Sequence, residues 1–406
     1  MRPPWRTRVG RIAAYNAVAM VIRPHLHASD LRGVARIAKD ATSGLTDLVE
    51  AMHTNIARPR GTGGITGLVY KSIRGVTHLV GGGVDALLAL LTPAFGGRPL
   101  SPEREVVLAA LNGVLGDYLA ASDNPLAIRM SLRREGQPIV SSDHQRRVVV
   151  LVHGLCMSDL QWKRNGHEHG ACLERDLGYA PLYLHYNSGL HVSANGRRFA
   201  DLLEQLVSDS ASTIEELVVV AHSMGGLVTR SACHYGAAAG HAWLARLRGI
   251  VFLGTPHHGA PLERGGNWID IILGAAPYAA PLARLGKIRS AGITDLRFGN
   301  LLDEDWEGRD RFARTRDTRR HVPLPVGVPC YAIAATIGKT RGDLKDRLLG
   351  DGLVPLASAL GVHKRAERCL AFPQGRQWVG HGINHLDLLD RPAVWAQIRD
   401  WLAHPA

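Results

Sequence analysis

Aromatic residues make up only 6% of this 406-residue chain, and it has just five cysteines. Cys156, Cys172, Cys233, Cys330 and Cys369 are odd in number, and no two stand close enough to form a CxxC pair. That excludes a disulfide scaffold and a local thiol redox or zinc motif, and it favours a reducing compartment in which each thiol is a small buried apolar group. No stretch reaches the roughly 18 uninterrupted apolar residues of a spanning helix. No recognisable nucleic-acid module or interleaving of basic and aromatic residues occurs, so a nucleic-acid partner is not expected. What remains is a chain with 46% hydrophobic and 21% charged residues. That suffices for a sizeable core, in one large domain with additions or in two domains.

The net charge of +12 is unevenly distributed. Residues 1–100 hold 13 basic and 5 acidic side chains, a balance of +8, which leaves +4 for the other 306 residues. A basic N-terminal part precedes a nearly neutral larger part. Arg2, Arg6, Arg8 and Arg11 lead into a short apolar stretch at 12–22 that Asn16 interrupts, with no small-residue cleavage site after it. Export is therefore less expected than a cytoplasmic or membrane-associated location.

Helical spacing of apolar residues marks most of 1–125, including Leu31, Val34, Ala35 and Ala38, then Leu68, Val69, Ile73, Val76 and Val80. Ser101 and Pro102 form an N-cap and first-turn signal for a helix through 107–119. This region is either a helical bundle or a basic amphipathic face resting on anionic lipid. Beyond 126 the texture changes. A hairpin is expected at 130–134 and 137–140. Apolar strands are expected at 147–152, 181–186, 217–221, 250–254 and 330–337, and a last short one at 370–372 before Pro373. Helical patterns lie between them, at 195–207 for example, and a final helix begins at Pro392. Buried strands alternating with helices predict an α/β fold with a mostly parallel sheet covered on both faces. The stretch of about 260–328 lacks that alternation and reads as a lid-like insertion. Its Trp268, Ile269, Ile271, Ile272, Leu273 and Tyr278 suit either an acyl chain or ordinary core.

The strongest chemical signal is a buried strand that runs through Ala221 and His222 into Ser223, Met224, Gly225 and Gly226 and on into a helix. Small residues on both sides of the serine let strand and helix meet at a sharp turn that exposes its hydroxyl. Such a hydroxyl needs a histidine base oriented by a carboxylate, both further along the chain. Position after the last strand favours His385 as base over His381. Asp351, between two glycines beyond the fifth apolar strand, is the favoured carboxylate, with Asp343, Asp346 and Asp295 as alternatives. The loop of His153, Gly154 and Leu155 follows the first apolar strand. There the Leu155 N–H, with that of Met224, would form an oxyanion hole. His153 has no partner ligands at metal spacing.

These pieces, with Gly254, Thr255, Pro256, His257, His258 and Gly259 and the run from Asp351 to Pro355, make residues of about 126–404 resemble the α/β-hydrolase superfamily. The chain looks most like lipase-like serine hydrolases around the GPI-inositol-deacylase-like group and bacterial lipases with alanine in the elbow. The resemblance implies an α/β-hydrolase domain at 126–406 behind a helical region at 1–125. It also implies an ester or thioester target and no cofactor, which suits a Ser223–His385–Asp351 triad; the insertion's apolar cluster and the basic helical N-terminal region favour a hydrophobic or membrane-derived ester as substrate. Some lipases of this type hold a structural metal, for which no ligand set stands in this sequence. A thioesterase or acyltransferase would use the same triad. A lipid-binding, membrane-associated protein without catalysis would not need all its parts.

Overall fold

A computed structural model describes residues 32, 33, 35, 36, 102–139, 145–209, 214–260, 289–311, 313, 316–339 and 350–404. The chain divides into a smaller unit, 1–104 with 121–126, and a larger one, 105–120 with 127–406. In the smaller unit Asn124 donates to the Gly33 carbonyl at 3.1 Å, and Arg36 to that of Asp123 at 2.7 Å. The N-terminal segments expected at 1–31 and 37–100, and the insertion's apolar cluster from Trp268 to Tyr278, lie outside the described residues. No helix among the described residues is long and apolar enough to cross a membrane.

The elements run α1 (Pro102–Ala121), β1 (Ser131–Arg134), β2 (Gln137–Pro138), β3 (Arg147–Val152), β4 (Lys163–Arg164), β5 (His167–Glu168), α2 (His169–Leu177), β6 (Ala180–His185) and α3 (Val192–Asp209). Then come β7 (Glu216–His222), α4 (Met224–Ala239), β8 (Leu247–Leu253), α5 (Ala291–Asp295), β9 (Cys330–Thr336), α6 (Leu356–Ala359), β10 (Gln377–His381) and α7 (Pro392–Ala403). Eight strands form one sheet in the order β10-β9-β8-β7-β3-β6-β1-β2. Strands β10 through β6 are parallel, and β1 and β2 close one edge antiparallel.

Alternation along the central strands feeds two cores. Val148, Val150, Val152, Leu217, Val219 and Ala221 face α3 and α4, whose Phe199, Leu203, Leu227 and Val228 join them, and Ala110 and Val114 of α1 lie in the same cluster. Val149, Leu151, Val218 and Val220 face the other way, onto Leu173 of α2 and Val394, Ile398 and Trp401 of α7. Both faces are covered, which is why these strands read as continuous apolar runs.

One strand expectation fails. Residues 370–372 form no strand, and the last strand is β10, Gln377–His381. Leu370 and Phe372 are buried, but their N–H groups go to Gly361 and Leu370 carbonyls rather than to a ladder. Strand β10 pairs only with β9, and its Gln377, Trp378 and Val379 are half-buried. An edge strand of that kind lacks the apolar run that betrays a central one. The β4–β5 hairpin also escaped the hydrophobic pattern. It turns on Asn165 (φ 48°) and Gly166 (φ 76°), the Asn-Gly signature of a tight two-residue turn. Among the described residues all five cysteines are free, with Cys156, Cys233 and Cys330 buried.

Candidate active site

The registers Val152↔Ala221, Ala221↔Phe252 and Leu253↔Ile333 bring the carboxyl ends of β3, β7, β8 and β9 to one edge of the sheet. Ser223 stands at the centre of that edge, between the last residue of β7 and the first of α4, with φ 54° and ψ −126°. A non-glycine residue in that region is strained by of order 1–3 kcal/mol and is held only by its surroundings. Here the Ser223 N–H donates to the Leu253 carbonyl at 2.8 Å, which ties the turn to β8. The close approach explains the glycine two residues on. A Cβ on Gly225 would lie 2.6 Å from the His153 carbonyl oxygen and nearer still to that of Val152. Ala221 faces the core and leaves β7 free to run straight into the turn.

His385 and Asp351 come together. The His385 Nδ1–H donates to Asp351 Oδ2 at 2.7 Å, with both side chains buried. The other carboxylate oxygen accepts the N–H groups of Leu353 at 3.0 Å and Val354 at 2.8 Å. The backbone closes the same link, because His385 N–H donates to the Asp351 carbonyl at 3.0 Å. The donor at Nδ1 leaves Nε2 of a neutral ring as the acceptor, the form a general base needs. Gly254 lies between this histidine and β8: a Cβ there would sit 3.1 Å from His385 Nδ1 and Cε1.

The alternatives separate cleanly. His381 is exposed on β10, paired in register with Thr336. Asp295 is buried but accepts from the Val192 N–H at 2.8 Å, His191 at 3.0 Å and Asn300 at 3.1 Å, so it anchors the start of α3. Asp343 and Asp346 lie outside the described residues.

Leu155 is buried in the loop after β3, and Met224 opens α4. The first N–H groups of a helix have no acceptor one turn back, so Met224 N–H is free for a ligand oxygen. The loop that carries Leu155 is held from behind. The Tyr186 hydroxyl donates to the His153 carbonyl at 2.8 Å, and the two rings stack 4.3 Å apart. His153 Nδ1–H donates to the Gly154 carbonyl at 2.9 Å, and burial keeps the imidazole neutral, down to about 3.

Three positioning histidines were not singled out by the sequence reading. His222 donates from Nε2 to the His385 carbonyl at 3.1 Å and is kept neutral by burial and by the neighbouring His385 imidazole. His169 donates to the Leu388 carbonyl at 3.0 Å and accepts from His167 at 2.9 Å, so it pins the loop just beyond His385. The only sequence signal for His222 was its place beside the serine; His169 had none.

One group among the described residues has metal-ligating character: Glu105, Asp159 and His185, all buried. Arg133 already fills the space a cation would take, at 3.1 Å from Glu105 and 3.3 Å from Asp159, while His185 Nδ1 lies 3.0 Å from Asp159. The guanidinium supplies the positive charge, so the cluster is complete as an ion network behind the His153 loop.

The doubly covered parallel sheet and the strand–Ser223–helix turn make the larger unit an α/β-hydrolase fold. Residues 143–318 match the family of the PGAP1-like alpha/beta domain, a stretch that holds Leu155 and Ser223 and ends before Asp351 and His385. No curated protein sequence matches the chain. Among solved structures, the mature Bacillus licheniformis lipase BlEst2 is 17% identical with a TM-score of 0.41, over 68% of this chain and 97% of its own. Aspergillus fumigatus lipase B is 13% identical with a TM-score of 0.41, over 96% of this chain and 84% of its own. The Pyrococcus furiosus esterase Pf2001 is 13% identical with a TM-score of 0.37, over 64% of this chain and 81% of its own.

Proposed function

We propose that this α/β hydrolase cleaves carboxylic esters of lipids or other hydrophobic acyl compounds through an acyl-enzyme on Ser223. The observation that carries the reading is the buried 2.7 Å bond from His385 to Asp351 on the sheet edge that bears the strained Ser223 turn. In this reading His385 Nε2 takes the Ser223 proton as the oxygen attacks the acyl carbonyl. Asp351 holds the imidazole in the required tautomer and balances its charge. The N–H groups of Leu155 and Met224 receive the oxyanion, and His385 returns the proton to the leaving alcohol. A water activated by the same imidazole then releases the acid. The hydrophobic-substrate part rests on the apolar residues of the insertion and on the basic N-terminal hundred residues, assigned here to peripheral contact with anionic lipid.

A p-nitrophenyl ester series of increasing chain length, with and without anionic vesicles, tests the substrate. Activity rising with chain length and with vesicles is expected; a preference for acetyl esters untouched by vesicles refutes the lipid reading. Ser223→Ala removes labelling by a fluorophosphonate probe, and full labelling of that variant refutes the nucleophile.

A further inference from the structure

Two turns of α4 beyond Ser223, about 10 Å along the helix axis, stands Arg230. Its side chain is buried, at 4% residue exposure, yet among the described residues no carboxylate pairs with it. Nη2 donates to the Val322 carbonyl and Nη1 to His257 Nδ1 at 3.4 Å, but Nε–H has no partner. Since His257 accepts at Nδ1, its proton sits on Nε2, and that buried N–H is also without an acceptor. A guanidinium in this condition is costly: burial first, and then the charge of Arg319, pull it down to about 9.

The surroundings do not supply the missing anion. Arg230 and His257 line a recess shared with Arg319, Arg320, His321 and Arg368. Of the acids near it, Asp317 is taken up by Arg319 and Arg368, and Glu304 stands 3.9 Å from Arg320. Asp305 spends its carboxylate on the N–H groups of Leu301, Leu302 and Arg320. His257 is kept neutral by burial and by Arg230, and His258 is held down to about 4 by burial and Arg319. The recess measures about 270 Å³ with its open mouth. Arg320 and the exposed His321 stand at that mouth, with Arg368 partly buried beside them.

We infer that this recess binds a phosphate group, with one phosphoryl oxygen held by Arg230 and His257 and the others by Arg320 and Arg368 at the mouth. Tetrahedral oxyanions match the donor set, because each oxygen accepts charge-assisted bonds and the group's charge answers the unpaired guanidinium. The bound group comes either from a lipid headgroup or from a soluble phosphate ester. The site stands apart from Ser223 and does not depend on ester cleavage.

Calorimetric titration of the full chain with inorganic phosphate, in chloride buffer of matched ionic strength, tests the site without any turnover. Saturable binding is expected, weakened about tenfold or more in Arg230→Met and in the more accessible Arg368→Gln, since each loses a charge-assisted bond. Flotation with phosphatidylcholine vesicles containing roughly one-fifth phosphatidic acid, competed by phosphate, identifies a lipid headgroup; phosphate binding without such flotation identifies a soluble ester. Absence of saturable phosphate binding by the wild-type chain overturns the inference. So does binding left unchanged in Arg368→Gln and in folded Arg230→Met.

Discussion

Asp351→Asn separates the chemical role of this carboxylate from its structural one. Asp351 uses one oxygen for the N–H groups of Leu353 and Val354 and the other for His385 Nδ1. An asparagine oxygen can keep both backbone bonds, so the turn at 350–355 stays formed and the thermal midpoint moves by only a few degrees. The amide nitrogen then faces His385. Two donors cannot share that bond, so the ring must move its proton to Nε2 and present Nδ1 as an acceptor. In that tautomer the histidine cannot take the Ser223 proton. The expected loss in kcat is about 10⁴-fold, or about 5.5 kcal/mol in barrier height, because orientation and charge balance are lost together. Hydrolysis of a p-nitrophenyl ester, read beside thermal unfolding of the same preparation, measures both quantities. A folded variant within tenfold of wild-type kcat refutes the assignment of Asp351. A collapse of the thermal midpoint would instead show a carboxylate whose main work is holding the turn.

Three further outcomes follow from neighbouring geometry. Asp295→Asn weakens the anchoring of α3 by about 1–3 kcal/mol, the cost of disturbing buried hydrogen bonds, while the kcat of the folded fraction stays near wild type; a loss comparable to Asp351→Asn would move the triad carboxylate to Asp295. Gly225→Ala drives a methyl group into the Val152 and His153 carbonyls. It should cost about 1–3 kcal/mol in urea unfolding and roughly 100-fold in kcat, because the Ser223 turn and the loop that carries Leu155 shift together. The pH dependence of stability follows from buried His169, held down to about 4 by burial against the ordinary 6.5. Below pH 6.5 the unfolded chain takes up a proton that the folded ring refuses until about pH 4. Stability is therefore full above pH 6.5 and falls by up to about 3 kcal/mol across that window. Urea unfolding of His169→Gln should show a shallower loss between pH 7 and 5, and an unchanged slope would refute the cause.

Ser223 was readable in advance because its requirements are local: a buried strand before it, small neighbours, and a helix after it, all within a dozen residues. The central strands β3, β6, β7, β8 and β9 were legible for a related reason, since burial on both faces leaves no room for polar residues. Strand β10 was misplaced at 370–372. An edge position lets Gln377 and Trp378 stay half-exposed, and the apolar Leu370–Phe372 segment that competes for the assignment packs inward without pairing.

Sequence alone determined the α/β alternation, the sharp turn at Ser223 and the loop that carries Leu155, because strand period, turn sterics and chain order are properties of contiguous residues. It ranked Asp351 and His385 by position but could not join them across 34 residues. Only the folded chain decided which downstream carboxylate meets the histidine and which merely caps α3. It alone also brought His222 beneath His385, and left Arg230 buried without a counter-charge. Those facts depend on distances between segments far apart in sequence, and a buried charge or a shared hydrogen bond acquires its energy only when tertiary packing excludes water from around it.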